Sequence, residues 1–197
     1  YDDGTVMLFD FSEMLESARD HAVLHYREDK GYVYFDHPDD EIVHFPPRVE
    51  IDVTEGDGGN QAGIVELSFC GNRQEILCVV TDDSRVTLYD STDGSRLDTL
   101  SFTGATVSAA FSGSTITLLN RDKGYSVILV EAESGRLLEE KYTLSLNRAY
   151  HHMTLSPDGS KIFVLSETGK VHIYSAAGEP EGTIEVGKEA DQIRVGP

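Results

Sequence analysis

The side chains with the widest chemical range here are seven histidines and two cysteines. His21, His25, His37 and His44 fall within one stretch, and His151 and His152 are adjacent. Zinc needs three or four convergent ligands. Adjacent residues of a strand point to opposite faces, so His151 and His152 do not clasp one ion together. Glu55, Asp57 and Asn60 are oxygen donors of the calcium type, without the twelve-residue spacing and closing Glu of an EF-hand. No metal or other cofactor is expected. Cys70 and Cys78 read as reduced packing thiols on successive strands of one hairpin, which suits an intracellular setting, cytoplasm or nucleus. The chain has no Gly-x-Ser-x-Gly elbow, no Gly-Lys-Ser/Thr phosphate loop and no dinucleotide fingerprint. Carboxylates are so abundant that an acid–base pair chosen without geometry means nothing. No catalytic residue is assigned.

The charge balance narrows the partners. The 197 residues carry 16 Lys plus Arg against 35 Asp plus Glu, a net −19. Such a field opposes direct binding to nucleic acid or to an anionic membrane. It suits first a solvated surface that favours solubility, and otherwise a basic protein partner or adaptation to high salt. Residues 1–60 hold −12 of it and residues 61–197 hold −7. The longest aliphatic-type run, Ile76 to Val80, predicts no membrane insertion. A hydrophobic fraction of 39% with 26% charged residues is globular in type.

The elements that must position any site repeat along the chain. Asp3–Asp10, Asp83–Asp90, Gly124–Glu131 and Thr168–Ser175 each place a polar turn before a strand with a shared valine: Val6, Val86, Val127 and Val171. A second strand precedes it at Glu75–Val80, Thr115–Asn120 and Lys161–Ser166. A first strand is read at Gly63–Phe69, Ala105–Phe111, Ala149–Leu155 and Asp191–Val195, and a fourth at Arg96–Phe102, Arg136–Leu144 and Gly182–Val186. Gly71-Asn72, Asp93-Gly94, Ser134-Gly135 and Pro157-Asp158-Gly159 supply hairpin chemistry between them. Four short antiparallel strands per unit of about 40 residues are the mark of a β-propeller blade, whose faces are buried only by neighbouring blades.

These units resemble the WD-repeat and broader seven-bladed-type propellers. Asp82–Asp90 looks like the family's third strand, although Tyr89-Asp90 stands where Trp-Asp is usual, and Ser156–Val164 looks like its first hairpin. The chain has no Trp, so the hydrogen-bond network built on that residue is not carried over. The fold class expected is all-β: about four to five four-stranded antiparallel blades in one partial propeller domain over residues 1–197. The chain opens within a third strand and ends after a first one, which reads as a fragment of a propeller whose other blades lie in absent sequence, the alternative being that two such pieces complete one ring. Residues 11–62 form a divergent or inserted segment. Within it a short helix is expected near residues 12–20. The strands of 21–53 make either a degenerate blade, or a closing strand at 21–26 followed by an inserted hairpin.

The function expected is a non-catalytic scaffold that binds protein partners through blade-connecting loops. Its binding candidates are Asp82, Asp83, Arg121, Lys123, Arg148 and Lys188, the acidic ones suited to a basic partner. One alternative is a lactonase- or quinoprotein-like enzyme with a central-channel site, for which His151, His152 and Tyr150 are the candidates. A second is a half-propeller that associates through an open blade edge.

Overall fold

A computed structural model describes residues 5–9, 24–27, 32–36, 42–45, 47–53, 62–70, 75–137 and 142–195. Strands dominate them, and they include no helix. The chain divides into two compact units. Tyr1–Asn60 and Ser91–Gly94 make one; Gln61–Asp90 and Ser95–Pro197 make the other.

The first unit holds β1 (Thr5–Leu8), β2 (Leu24–Arg27), β3 (Tyr32–Asp36), β4 (Ile42–Phe45) and β5 (Val49–Asp52). β1 pairs with β5, Val6 opposite Ile51, while β2, β3 and β4 form a separate three-stranded meander. Neither sequence reading of this segment matches that pairing: the strand at 24–27 does not close the first blade. Val49 and Ile51 are buried while Glu50 and Asp52 are exposed, so β5 has a one-sided apolar pattern, and buried Val6 of β1 stands opposite Ile51 on the same face. The expected helix near 12–20 lies outside the described residues, as do Glu55, Asp57, Asn60, His21 and His37.

The second unit contains three consecutive meanders. The first is β6 (Ile64–Cys70), β7 (Ile76–Thr81), β8 (Arg85–Asp90) and β9 (Arg96–Ser101). Next come β10 (Ala105–Ser112), β11 (Thr115–Arg121), β12 (Tyr125–Glu133), β13 (Arg136–Leu137) and β14 (Tyr142–Leu146). The last is β15 (Tyr150–Leu155), β16 (Lys161–Ser166), β17 (Lys170–Ser175) and β18 (Pro180–Glu185). The single fourth strand expected at 136–144 is divided: β13 and β14 pair with different stretches of β12. Ser134 (φ 52°) and Gly135 (φ 77°) start it with the two left-handed residues of a type I′ hairpin.

Both faces of the middle meander are buried. Ile116, Leu118, Ile128 and Val130 pack with Cys78, Val80, Val86 and Leu88 of the first. Leu119, Val127 and Leu129, on the opposite face, pack with Met153, Ile162 and Val164 of the third. Alternation along β11 and β12 sends successive side chains to the two cores. Each fully buried Val, Leu or Ile is worth roughly 1.5–3 kcal/mol. A two-sheet sandwich would bury one face per sheet, so this stacking is of the propeller-blade type. The first strands β6, β10 and β15 lie beside one another. Ser108 Oγ stitches two of them, accepting from Met153 N at 3.2 Å and lying 3.5 Å from Met153 O. Residues 191–195, expected as another first strand, follow β15 without a ladder. Ala190 O lies 3.1 Å from His151 Nε2, and Ile193 N donates to His152 Nδ1 at 3.5 Å. A first strand finds its ladder partner in the second strand of its own blade, and no such strand pairs with 191–195 among the described residues.

Candidate functional site

Two regions of the second unit gather polar side chains: the loop end and an axial groove between the first strands.

The loop end is made by turns between second and third strands together with the connections between meanders. Backbone bonds hold these together. Thr106 N donates to Asp82 O and Phe102 N to Ser84 O, both at 2.9 Å, and Glu167 N donates to Ala149 O at 3.2 Å. All six binding candidates sit at this end, but their roles divide. Asp82 Oδ1 accepts from Gly63 N at 3.0 Å. Asp83 accepts from the Thr81 hydroxyl and pairs with Arg85 at 3.3 Å. Asp83 thus holds its own turn, and Asp82 ties that turn to the connection ahead of β6. Arg121, Lys123, Arg148 and Lys188 are exposed and have no bonded partner among the described residues.

Beneath this rim each blade contact is sealed differently. Between the first and second meanders, Asn120 Nδ2 donates to Ser84 Oγ at 2.7 Å, and Ser84 Oγ lies 3.0 Å from Thr106 Oγ1. All three residues are buried. Ser84 adopts φ 62°, a left-handed conformation that a serine tolerates when its hydroxyl is so held. Between the second and third meanders the corresponding place is aromatic. Thr106 pairs with Asn120 as Tyr150 pairs with Ser166, so Tyr150 replaces Thr106. Its ring meets Tyr125 edge-on at 6.3 Å and His172 at 5.6 Å. Among the described residues, the Tyr150 hydroxyl and His172 Nε2 are buried without hydrogen-bond partners. Burial, with a smaller effect of nearby Tyr174, pushes the Tyr150 phenol up to about 12, against the pull of Arg148. Burial, then the charges of Arg148 and Lys170, lowers the pKa of His172.

The axial groove has a volume of about 450 Å³ and is lined by residues 66–68, 109–111, 152–154 and 192–194. Its polar groups come from Glu66, Ser68, His152, Thr154, Gln192 and Arg194. Of the channel candidates, His152 reaches this groove. Its pKa is lowered by burial and then by His151 and Arg194, with Asp191 opposing. His151 does not line it and bonds to Ala190 O. Tyr150 belongs to the aromatic contact between meanders, so it is not brought together with His152 as a channel pair. Sequence reasoning passed over Glu66 and Arg194. The available signal was their place in segments read as first strands, 63–69 and 191–195, of which only the former forms a ladder.

Among the described residues, no three His, Cys, Asp or Glu side chains gather closely enough to hold a metal. Cys70 and Cys78 are buried and free. A hydrogen bond between the two thiols lowers the pKa of Cys70 and raises that of Cys78.

No protein-family model matches the chain, and no curated protein matches it in sequence. Solved structures match its fold. BamB from Moraxella catarrhalis is similar over 94% of this chain and 51% of its own, with TM-score 0.52 and 11% identity. The β-propeller domain of Myceliophteria thermophila Cps50 (Swd1) is similar over 84% and 55%, with TM-score 0.56 and 13% identity. The computationally designed Ika8 protein is similar over 90% and 53%, with TM-score 0.59 and 14% identity. The chain therefore spans about half the length of these structures. At these identities the likeness is one of fold: this is a β-propeller-like chain built of four-stranded blades.

Proposed function

We propose that this chain is a non-catalytic propeller scaffold that binds a protein partner through its loop end. The observation that carries the reading is the division of charges there. Asp82 and Asp83 are spent on bonds to Gly63, Thr81 and Arg85, whereas Arg121, Lys123, Arg148 and Lys188 stand exposed and, among the described residues, unpaired. Rigid strands are committed to blade packing, so loop side chains are what differ between propellers and set specificity. Propeller neighbours include a protein solved within a mitotic checkpoint complex and another solved with ARL6DN, which is support at the level of the fold. Carboxylates such as Asp122 and Glu189 share this end, so a partner with alternating charge is complementary to it and a purely basic tail is less so. The two free thiols suit a reducing compartment.

The test is cross-linking and affinity capture from the source cells with the native chain and with an Arg121→Glu, Lys123→Glu, Arg148→Glu triple variant. A discrete partner retained by the native chain, lost by the variant and sensitive to salt is the expected result. A partner held equally by both would refute the loop-end assignment.

The groove around His152 favours a second reading, a propeller enzyme with an axial site. Lactone hydrolysis by the native chain that vanishes in His152→Ala would support it, and no turnover by either protein would refute it.

A further inference from the structure

We propose that the axial groove holds a small monocarboxylate, with its oxygens on His152 and Arg194. The site lies in the groove of the second reading above, but it requires no turnover there. Two adjoining segments of the second unit build it. Ile193 N donates to His152 Nδ1 at 3.5 Å and so ties residues 191–195 to β15. A ring nitrogen that accepts this bond carries no proton, so the neutral imidazole is protonated at Nε2. Among the described residues nothing accepts from that Nε2–H, and His152 lines the groove. Arg194 lines it from the neighbouring segment, exposed and without a bonded partner among the described residues. Burial, then the charges of His151 and Arg194, lower the pKa of His152 against the pull of Asp191, so the imidazole stays neutral at neutral pH. A guanidinium beside a fixed N–H donor is a receptor for a planar oxyanion. Thr154 and Gln192 add a hydroxyl and an amide to the lining.

The rest of the lining sets the size and charge of the ligand. Ala110, Phe111 and Ile193 give apolar surface for a short alkyl chain within the groove of about 450 Å³. Glu66 lines the groove from β6. β6 packs beside β10 and β10 beside β15, so two strands stand between Glu66 and the segment that carries Arg194. The groove is therefore cationic at one side and anionic at the other. A single carboxylate turns towards Arg194, whereas a second one meets Glu66. The net charge of −19 acts in the same direction, because it repels a dianion more strongly than a monoanion.

The test is a titration of the whole chain with butyrate, followed by nitrogen–proton NMR, with succinate and the uncharged butyramide as comparisons. Butyrate should give saturable shifts at His152, Ile193 and Arg194, and should bind roughly tenfold or more tightly than either comparison. Arg194→Gln should weaken butyrate by roughly tenfold, and Glu66→Gln should close the gap between succinate and butyrate. Both residues are exposed, so both variants keep the native melting profile. Long-range nitrogen–proton spectra should show His152 protonated at Nε2. The absence of a saturable shift, equal binding of butyrate and butyramide, or butyrate binding indifferent to Arg194→Gln would overturn the proposal. So would a succinate gap that survives Glu66→Gln, or a His152 proton on Nδ1. Lactone hydrolysis without butyrate binding would keep the enzymatic reading and remove this one, and butyrate binding without hydrolysis would do the reverse.

Discussion

Tyr150 shows how one residue type alters the chemistry of a repeated position. Where the preceding contact closes a three-membered hydroxyl and amide network, Tyr150 leaves its own hydroxyl buried and unbonded. An unsatisfied buried polar group costs free energy that a shape-matched apolar group does not. Tyr150→Phe is therefore expected to raise stability by about 1 kcal/mol in denaturant unfolding, and a loss of stability would contradict the unpaired hydroxyl. Asp158 presents the opposite case on the surface. Its Oδ1 accepts from Ser156 Oγ, Ser160 N and Ser160 Oγ at 2.6, 3.1 and 2.8 Å. These bonds favour the ionised form and bring its pKa down to about 2. A depressed carboxylate pKa means that the native state binds its proton later than the unfolded chain does. The stabilisation is present above the ordinary value near 4 and is lost as pH falls from there towards about 2. Carbon-detected NMR titration should place the Asp158 midpoint near 2, and Ser156→Ala should move it up.

At the scale of elements, the contacts between meanders combine an apolar middle with a few hydrogen bonds at one end. Asn120→Ala removes the donor to Ser84 and leaves buried hydroxyls short of a partner, at a cost of roughly 1–3 kcal/mol. Chemical denaturation of Asn120→Ala, Thr106→Val and the double variant would show coupling, because the two residues share Ser84. Simple additivity would mean that the network does not act as one. The turn at Gly169 is the most constrained of its kind. With φ at +76°, a Cβ there would fall 2.3 Å from the backbone of Gly187. Gly169→Ala should destabilise the chain by about 2 kcal/mol or more, read as a lowered melting midpoint.

At the scale of the whole molecule, the excess of acidic groups matters more than any single pair. With a net charge of −19 the compact state repels itself, so added salt should raise the melting midpoint. A midpoint that falls with salt would mean that attractive pairs outweigh the net repulsion.

The recurring valines and hairpin turns announced the meanders and their order, because strand alternation and turn chemistry are local properties written in neighbouring residues. The loop-end location of Arg121, Lys123, Arg148 and Lys188 followed from the same repeat. Other features rest on residues far apart in the chain. β5 rather than the strand at 24–27 completes the pair with β1, since several apolar alternating segments could serve and the packing of Val49 and Ile51 selects one. Asp82 and Asp83 turned inward to Gly63, Thr81 and Arg85, and the groove drew Glu66, His152 and Arg194 from three separate segments. Which polar group is spent on holding the fold and which remains for a partner depends on distances between segments, and those exist once the blades have stacked.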